Sequence, residues 1–161
     1  MSRKSQAFVI ILVVVALVFV NYNFLDKKLS SFLGNSEITG GIILTNDLNL
    51  ICSKGYTTTV RDVPQDVRLK IYEINGVSYP QPRGMYELDH VIPLELGGGN
   101  GIGNLQLEAR DPRPGSLEKD RVENYLHKQV CSRNMDLEEA RNQMKNNWTN
   151  VYFRIANASA G

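Results

Sequence analysis

The chain has 161 residues, 42% of them hydrophobic and 22% charged, with a formal net charge of +1. That composition suits one globular domain plus whatever the N-terminus adds, and the length suffices for a real core. Beyond residue 28 the chain carries 14 basic against 16 acidic side chains, which excludes a general nucleic-acid coat protein and leaves room only for a local basic patch or a bound cation.

Residues 7–20 read AFVIILVVVALVFV, an unbroken apolar run preceded by Arg3 and Lys4. A positive start followed by such a run is the pattern of a signal peptide or signal anchor. No small-residue cleavage pattern follows, and the run reaches a spanning length only if it continues through Tyr22 to Leu25. Residues 1–25 are therefore expected to be a signal anchor or, if cleaved, a signal peptide. The basic residues at the front favour staying inside, so the domain is expected outside the cytoplasm, membrane-anchored through residues 7–25 or secreted. Residues 26–40, DKKLSSFLGNSEITG, are polar and without period and read as a linker. Residues 41–161 are the expected domain.

Ile42 to Leu44 and Leu48 to Ile51 are short apolar segments around a turn at Asn46-Asp47. Tyr56 to Arg61 is rich in β-branched residues and reads as a strand or extended segment. Val67, Ile71 and Ile74 have helical spacing, so a short helix is expected over 67–74. Tyr86 to Ile92 reads as a strand stopped by Pro93. A flexible loop follows at Gly97 to Gly101, then a second short strand over Ile102 to Leu107. DPRPG at 111–115 breaks it, and Ser116 stands where the N-cap of a helix to Cys131 belongs, with Val122, Leu126 and Val130 as its apolar stripe. Asp136 with Glu139 resembles a capping box for a last helix, whose inner face runs from Leu137 through Ala140, Met144, Trp148, Val151 and Tyr152 to Ile155.

Cys52 and Cys131 are the two cysteines. In an exported protein the pair forms one disulfide; in a cytosolic one, two buried free thiols. Their spacing does not suit a metal site, His127 being the nearest further ligand. His127 itself reads as structural.

The chemistry-bearing segment is Asp89-His90, Pro93-Leu94, Gly97-Gly98 and Asn104-Leu105-Gln106. This order of strand, glycine-rich loop, strand and helix resembles the HNH, or ββα-metal, nuclease family. ICSKGYTTTVRDVP, YELDHVIPLELGG, KDRVENYLHKQVC and the final NW extend the resemblance to small exported HNH-like proteins of bacteria, over residues 42–152. Both cysteines lie in those blocks.

The resemblance implies an α+β fold with a ββα-metal core and an additional C-terminal helix. It also implies a metal-dependent endonuclease that hydrolyses DNA or RNA with little sequence preference. A neutral imidazole accepts a proton from water near working pH, so His90 is the expected general base. A divalent cation neutralises charge on the phosphate and leaving oxygen, and hard cations take oxygen ligands. Asp89 is the expected first ligand, with Mg²⁺ favoured over Mn²⁺ or Zn²⁺. Asn104 completes the catalytic set as the residue that braces the loop. The third family position, near the helix start, is held here by Ser116, a poor ligand; Asp120 and Glu123, one turn on, are expected to substitute. Arg110, Lys119 and Arg121, with Arg61 and Arg113, are candidates for phosphate contact. The alternative is a catalytically weak or inactive HNH-like scaffold serving as a membrane-anchored binding module. No feature names a protein partner.

Overall fold

A computed structural model describes residues 41–158. The expected signal or anchor segment at 1–25 and the linker at 26–40 lie outside the described residues. Among the described residues no helix is long and apolar enough to cross a membrane.

The domain is α+β. In chain order come α1 (Leu48–Ile51), α2 (Tyr56–Val60), α3 (Gln65–Ile74), β1 (Tyr86–His90), two 3-10 turns (Leu94–Leu96 and Ile102–Asn104), β2 (Leu105–Ala109), α4 (Ser116–Cys131) and α5 (Leu137–Ala158). β1 and β2 form a two-stranded antiparallel sheet in which His90 faces Leu105, Asp89 faces Gln106 and Glu87 faces Glu108. Side chains alternate along a strand. One face of the ribbon therefore carries Leu88, His90, Leu105 and Leu107, and the other carries Glu87, Asp89, Gln106 and Glu108. The second face is acidic, and α4 packs on β1.

The segment expected as extended, Tyr56 to Arg61, is instead a five-residue helix, α2. Three threonines argue for a strand by local preference, but tertiary contacts override it. Tyr56 is buried, and the Thr59 hydroxyl donates to the Tyr56 carbonyl at 2.7 Å. Gly55, at φ +83°, turns the chain into the helix. Two smaller corrections concern boundaries. β1 ends at His90 rather than Ile92, and Ile102 to Asn104 is a 3-10 turn ahead of β2. In the first case the Val91 and Ile92 amides leave the ladder to bond to Asn104, the former to its carbonyl at 2.8 Å and the latter to its side chain at 2.8 Å.

Ser116 is not the N-cap of α4. Gly115 is, because a Cβ there would lie 2.4 Å from the Arg110 carbonyl oxygen. The Gly115 amide donates to the Glu118 carboxylate at 2.9 Å. Asp136 does cap α5, its carboxylate accepting from the amides of Glu138 at 2.8 Å and Glu139 at 3.3 Å. α5 has a kink at Asn147, where φ is −156°.

The core lies between α4 and α5. Val122, Leu126 and Val130 of α4 meet Ala140, Met144 and Val151 of α5, with Ile51 and Leu96 closing the top. Each large side chain so buried contributes about 1.5–3 kcal/mol. Arg141 is buried in the same region and fastens three pieces of chain. Its guanidinium donates to the carbonyls of Leu96 at 2.8 Å and Thr45 at 2.7 Å and to the Asn46 side chain at 2.7 Å, and it pairs with Glu138. Cys52 and Cys131 form a disulfide, with Cα atoms 5.6 Å apart, that ties the end of α1 to the end of α4.

Candidate active site at the end of strand β1

Asn104 holds the loop that follows β1. It is fully buried, and its side chain acts as a staple. The amide nitrogen donates to the carbonyls of Ile92 at 2.8 Å and Gly99 at 2.9 Å, while the oxygen accepts from the Ile92 amide at 2.8 Å. Every polar atom of the carboxamide is thus used to fix the backbone on either side of the loop. Gly98 permits this closeness, since a Cβ there would lie 1.9 Å from the Ile92 carbonyl oxygen.

The loop in turn fixes His90, which is only 3% exposed. Its Nε2 lies 3.0 Å from Oδ1 of Asn100, and the Asn100 amide nitrogen donates to the Val60 carbonyl at 2.6 Å. Burial lowers the His90 pKa below its ordinary 6.5. The Asn100 hydrogen bond and the Asp89 charge oppose that shift, and the charges of Arg61 and Lys119 reinforce it. The neutral ring is therefore the favoured form at neutral pH, as a proton acceptor requires.

Asp89 and His90 are adjacent on a strand and so face opposite sides of the ribbon. The backbone joins their environments. One Asp89 oxygen accepts from the His90 amide at 2.7 Å, and the other accepts from Nζ of Lys119 at 2.5 Å. The same ammonium donates to the His90 carbonyl at 2.8 Å and to Glu123 at 2.8 Å. Lys119 is 1% exposed. The expectation that it contacts substrate phosphate is corrected here: all three of its donors are spent inside the protein.

Ser116, Lys119, Asp120 and Glu123 lie at positions i, i+3, i+4 and i+7 and so share one face of α4. Ser116 is 1% exposed, and its hydroxyl oxygen is buried without a partner. Glu123 is the counter-ion of Lys119. Burial, with Asp89 and Asp120 nearby, pushes its pKa up to about 8. Asp120 is exposed, and its pKa is raised by partial burial and by the carboxylates of Glu87, Asp89 and Glu95. Glu108 is also raised, through burial above all and then by Asp89. Arg110 lies 3.7 Å from Glu87 at the rim, and Arg121 is exposed on α4. Arg113 is paired with Glu118. Arg61, exposed at the end of α2, is with Lys119 one of two cations whose field reaches His90.

Carboxylate oxygens are the donors a hard divalent cation takes, but among the described residues Glu87, Asp89, Glu95 and Asp120 do not bring three or more ligand atoms together. One oxygen each of Glu87 and Glu95 is buried without a hydrogen-bond partner, the Glu87 oxygen lying 3.7 Å from Arg110, and both carboxylates repel Asp120. A different group, Cys52, His127 and Cys131, brings three possible ligand atoms within 4.8 Å of one another and could hold a metal. Its sulfurs are joined in the disulfide, so neither is a thiolate, and binding there would first need reduction. His127 Nε2 lies 3.2 Å from the Ile51 carbonyl, a structural contact.

Sequence reasoning did not single out Asn100, Glu87, Glu95 or Arg141. Asn100 is a polar residue in a glycine-rich stretch, where composition speaks only of flexibility. Glu87 was legible through strand alternation, which puts it on the same face as Asp89. Comparison of the chain with family models, with curated proteins and with solved structures gives no match.

Proposed function

We propose that this chain is a divalent-cation-dependent endonuclease of the HNH, ββα-metal kind, acting on DNA or RNA with little sequence preference. One observation carries the reading. His90 is held by Asn100 in a setting that favours its neutral form, one residue from Asp89, whose side chain lies on the acidic face of the ribbon. In this scheme the His90 ring accepts a proton from the water that attacks phosphorus, and the bond from phosphorus to the 3′ oxygen breaks. Asp89 and Asp120 are the residues that would hold a cation, which would supply charge neutralisation on the phosphate and the leaving oxygen. Lys119 positions Asp89 and the His90 backbone. The exposed Arg61 and Arg121 and the half-buried Arg110 are the cations proposed to meet the phosphate chain. The disulfide supports a location in an oxidising compartment, outside the cytoplasm, with residues 7–25 as the proposed anchor.

The second reading is a binding scaffold without catalysis. Lys119 favours it, since an ammonium already bridges two of the expected metal ligands, Asp89 and Glu123.

The test uses the full-length protein in detergent with plasmid DNA and with RNA, under Mg²⁺, Mn²⁺, Zn²⁺ or EDTA, and His90→Ala in parallel. Metal-dependent cleavage that His90→Ala abolishes is the expected result. Folded, disulfide-bonded protein that cleaves neither polymer, and that no metal stabilises against denaturation, would leave the scaffold reading in possession.

A further inference from the structure

Asn100 has one acceptor end and one donor end, and its surroundings decide which points where. The Val60 carbonyl can only accept, and it lies 2.6 Å from the Asn100 amide nitrogen. Turning the carboxamide over would set two oxygens against each other. The oxygen end therefore faces Nε2 of His90, at 3.0 Å. That oxygen can only accept, so Nε2 must carry a proton. A neutral imidazole has one N–H, which leaves the lone pair on Nδ1.

We infer that Asn100 is a positioning residue for the reaction: pinned by the Val60 carbonyl, it holds the His90 ring with Nε2 protonated and Nδ1 as the nitrogen that takes the proton from water. The catalytic part of this inference rests on the nuclease reading above; the orientation of the ring does not. The arrangement is built to be rigid. Gly99, the preceding residue, is tied on both sides, its amide donating to the Ile42 carbonyl at 2.8 Å and its carbonyl accepting from Asn104 at 2.9 Å. Val60 ends α2, so that short helix acquires a purpose in the site: it supplies the fixed acceptor that sets the direction of Asn100. The role resembles that of a carboxylate behind a catalytic imidazole, but it adds no charge, and so it fixes the tautomer without stabilising the protonated ring as a carboxylate would.

The experiment is NMR of the full-length protein in detergent micelles with ¹⁵N-labelled histidine, at a pH where His90 is neutral. His127 serves as a second ring in the same spectrum, identified through His127→Gln. The expected spectrum shows His90 with an N–H at Nε2 and a bare nitrogen at Nδ1. A proton on Nδ1 in the native protein overturns the inference whatever the activity. Asn100→Ala is then expected to give a mixed or averaged tautomer and to lower kcat roughly a hundredfold with KM little changed, as for a misplaced catalytic group. Asn100→Asp, whose second oxygen would face the Val60 carbonyl in place of a donor, is expected not to recover kcat, and native kcat in that variant would show that the Val60 contact sets no direction. If Asn100→Ala keeps the native tautomer and the native kcat, Asn100 positions nothing. If the tautomer is as stated but the protein cleaves no nucleic acid, the orientation stands and the nuclease reading falls.

Discussion

The ammonium of Lys119 lies 2.5 Å from the carboxylate of Asp89, in a site where Lys119 is 1% exposed. A cation so enclosed is stable only because Asp89, Glu123 and the His90 carbonyl surround it. The pair joins α4 to the end of β1, and so fixes the helix against the strand that carries the candidate base.

Removing the ammonium leaves the partly buried Asp89 carboxylate without its compensating charge. Lys119→Met is expected to cost about 3–5 kcal/mol in stability, the range for breaking one side of a buried ion pair. Urea denaturation at neutral pH measures it. The double variant Lys119→Met, Asp89→Asn is expected to recover part of the loss, because the stranded carboxylate is gone. A single variant as stable as the wild type would show that the ammonium is not what holds α4 to β1.

Glu123 makes stability depend on pH in a defined direction. Its pKa in the fold is raised from 4.5 to about 8. Between those values the folded protein holds a proton that the unfolded chain has released. Stability from this group is thus complete below pH 4.5 and is lost as pH rises through about 8. Glu123→Gln removes that slope. The wild type is expected to lose stability relative to the variant across this window, by chemical denaturation at a series of pH values. Parallel curves would mean that Glu123 is ionised throughout.

His90 shifts the opposite way, below 6.5. Its protonated form cannot accept a proton, so kcat/KM is expected to rise with pH and reach its plateau with a midpoint below 6.5. An acid limb centred above neutrality would assign the proton acceptor to another group.

Gly98 is the tightest point of the loop. A methyl group there would meet the Ile92 carbonyl oxygen at 1.9 Å and the Asn104 amide nitrogen at 2.8 Å, neither free to move. Gly98→Ala is expected to cost about 1–3 kcal/mol, as overpacking does, and to loosen Asn104. Gly101→Ala is the control: its methyl meets only the end of the Ile42 side chain, at 3.2 Å. Thermal unfolding of both separates the two cases, and equal stabilities would refute the close approach.

What was legible in the sequence follows from periodicity and burial. The α4 stripe of Val122, Leu126 and Val130 and the α5 face from Leu137 to Val151 were readable, because long helices repeat their apolar spacing often enough to be recognised. α2 was not: five residues contain too few turns for a period, and its threonines suggest a strand. Lys119 was misjudged because a charge in a sequence looks exposed, although Glu123 four residues on gave the hint of a pair. Arg141 lies four residues after Leu137, on the apolar face, and a cation at that position was a sign of a buried guanidinium. Asp89, His90 and Asn104 were found by pattern; the partners that orient His90 come from Val60 and Asn100, 40 residues apart in sequence and joined only by the fold.

The disulfide has a topological consequence. Cys52 and Cys131 are 79 positions apart, and Asp89, His90, Asn100, Asn104, Lys119 and Glu123 all lie between them. Every group of the candidate site therefore belongs to one covalent ring. A protease that nicks the exposed proline-rich connector at Pro82-Arg83-Gly84 opens that ring without releasing either half. A single cut there leaves two chains joined through the bridge, with the site residues still tethered, where a chain without the bridge would have fallen into two pieces.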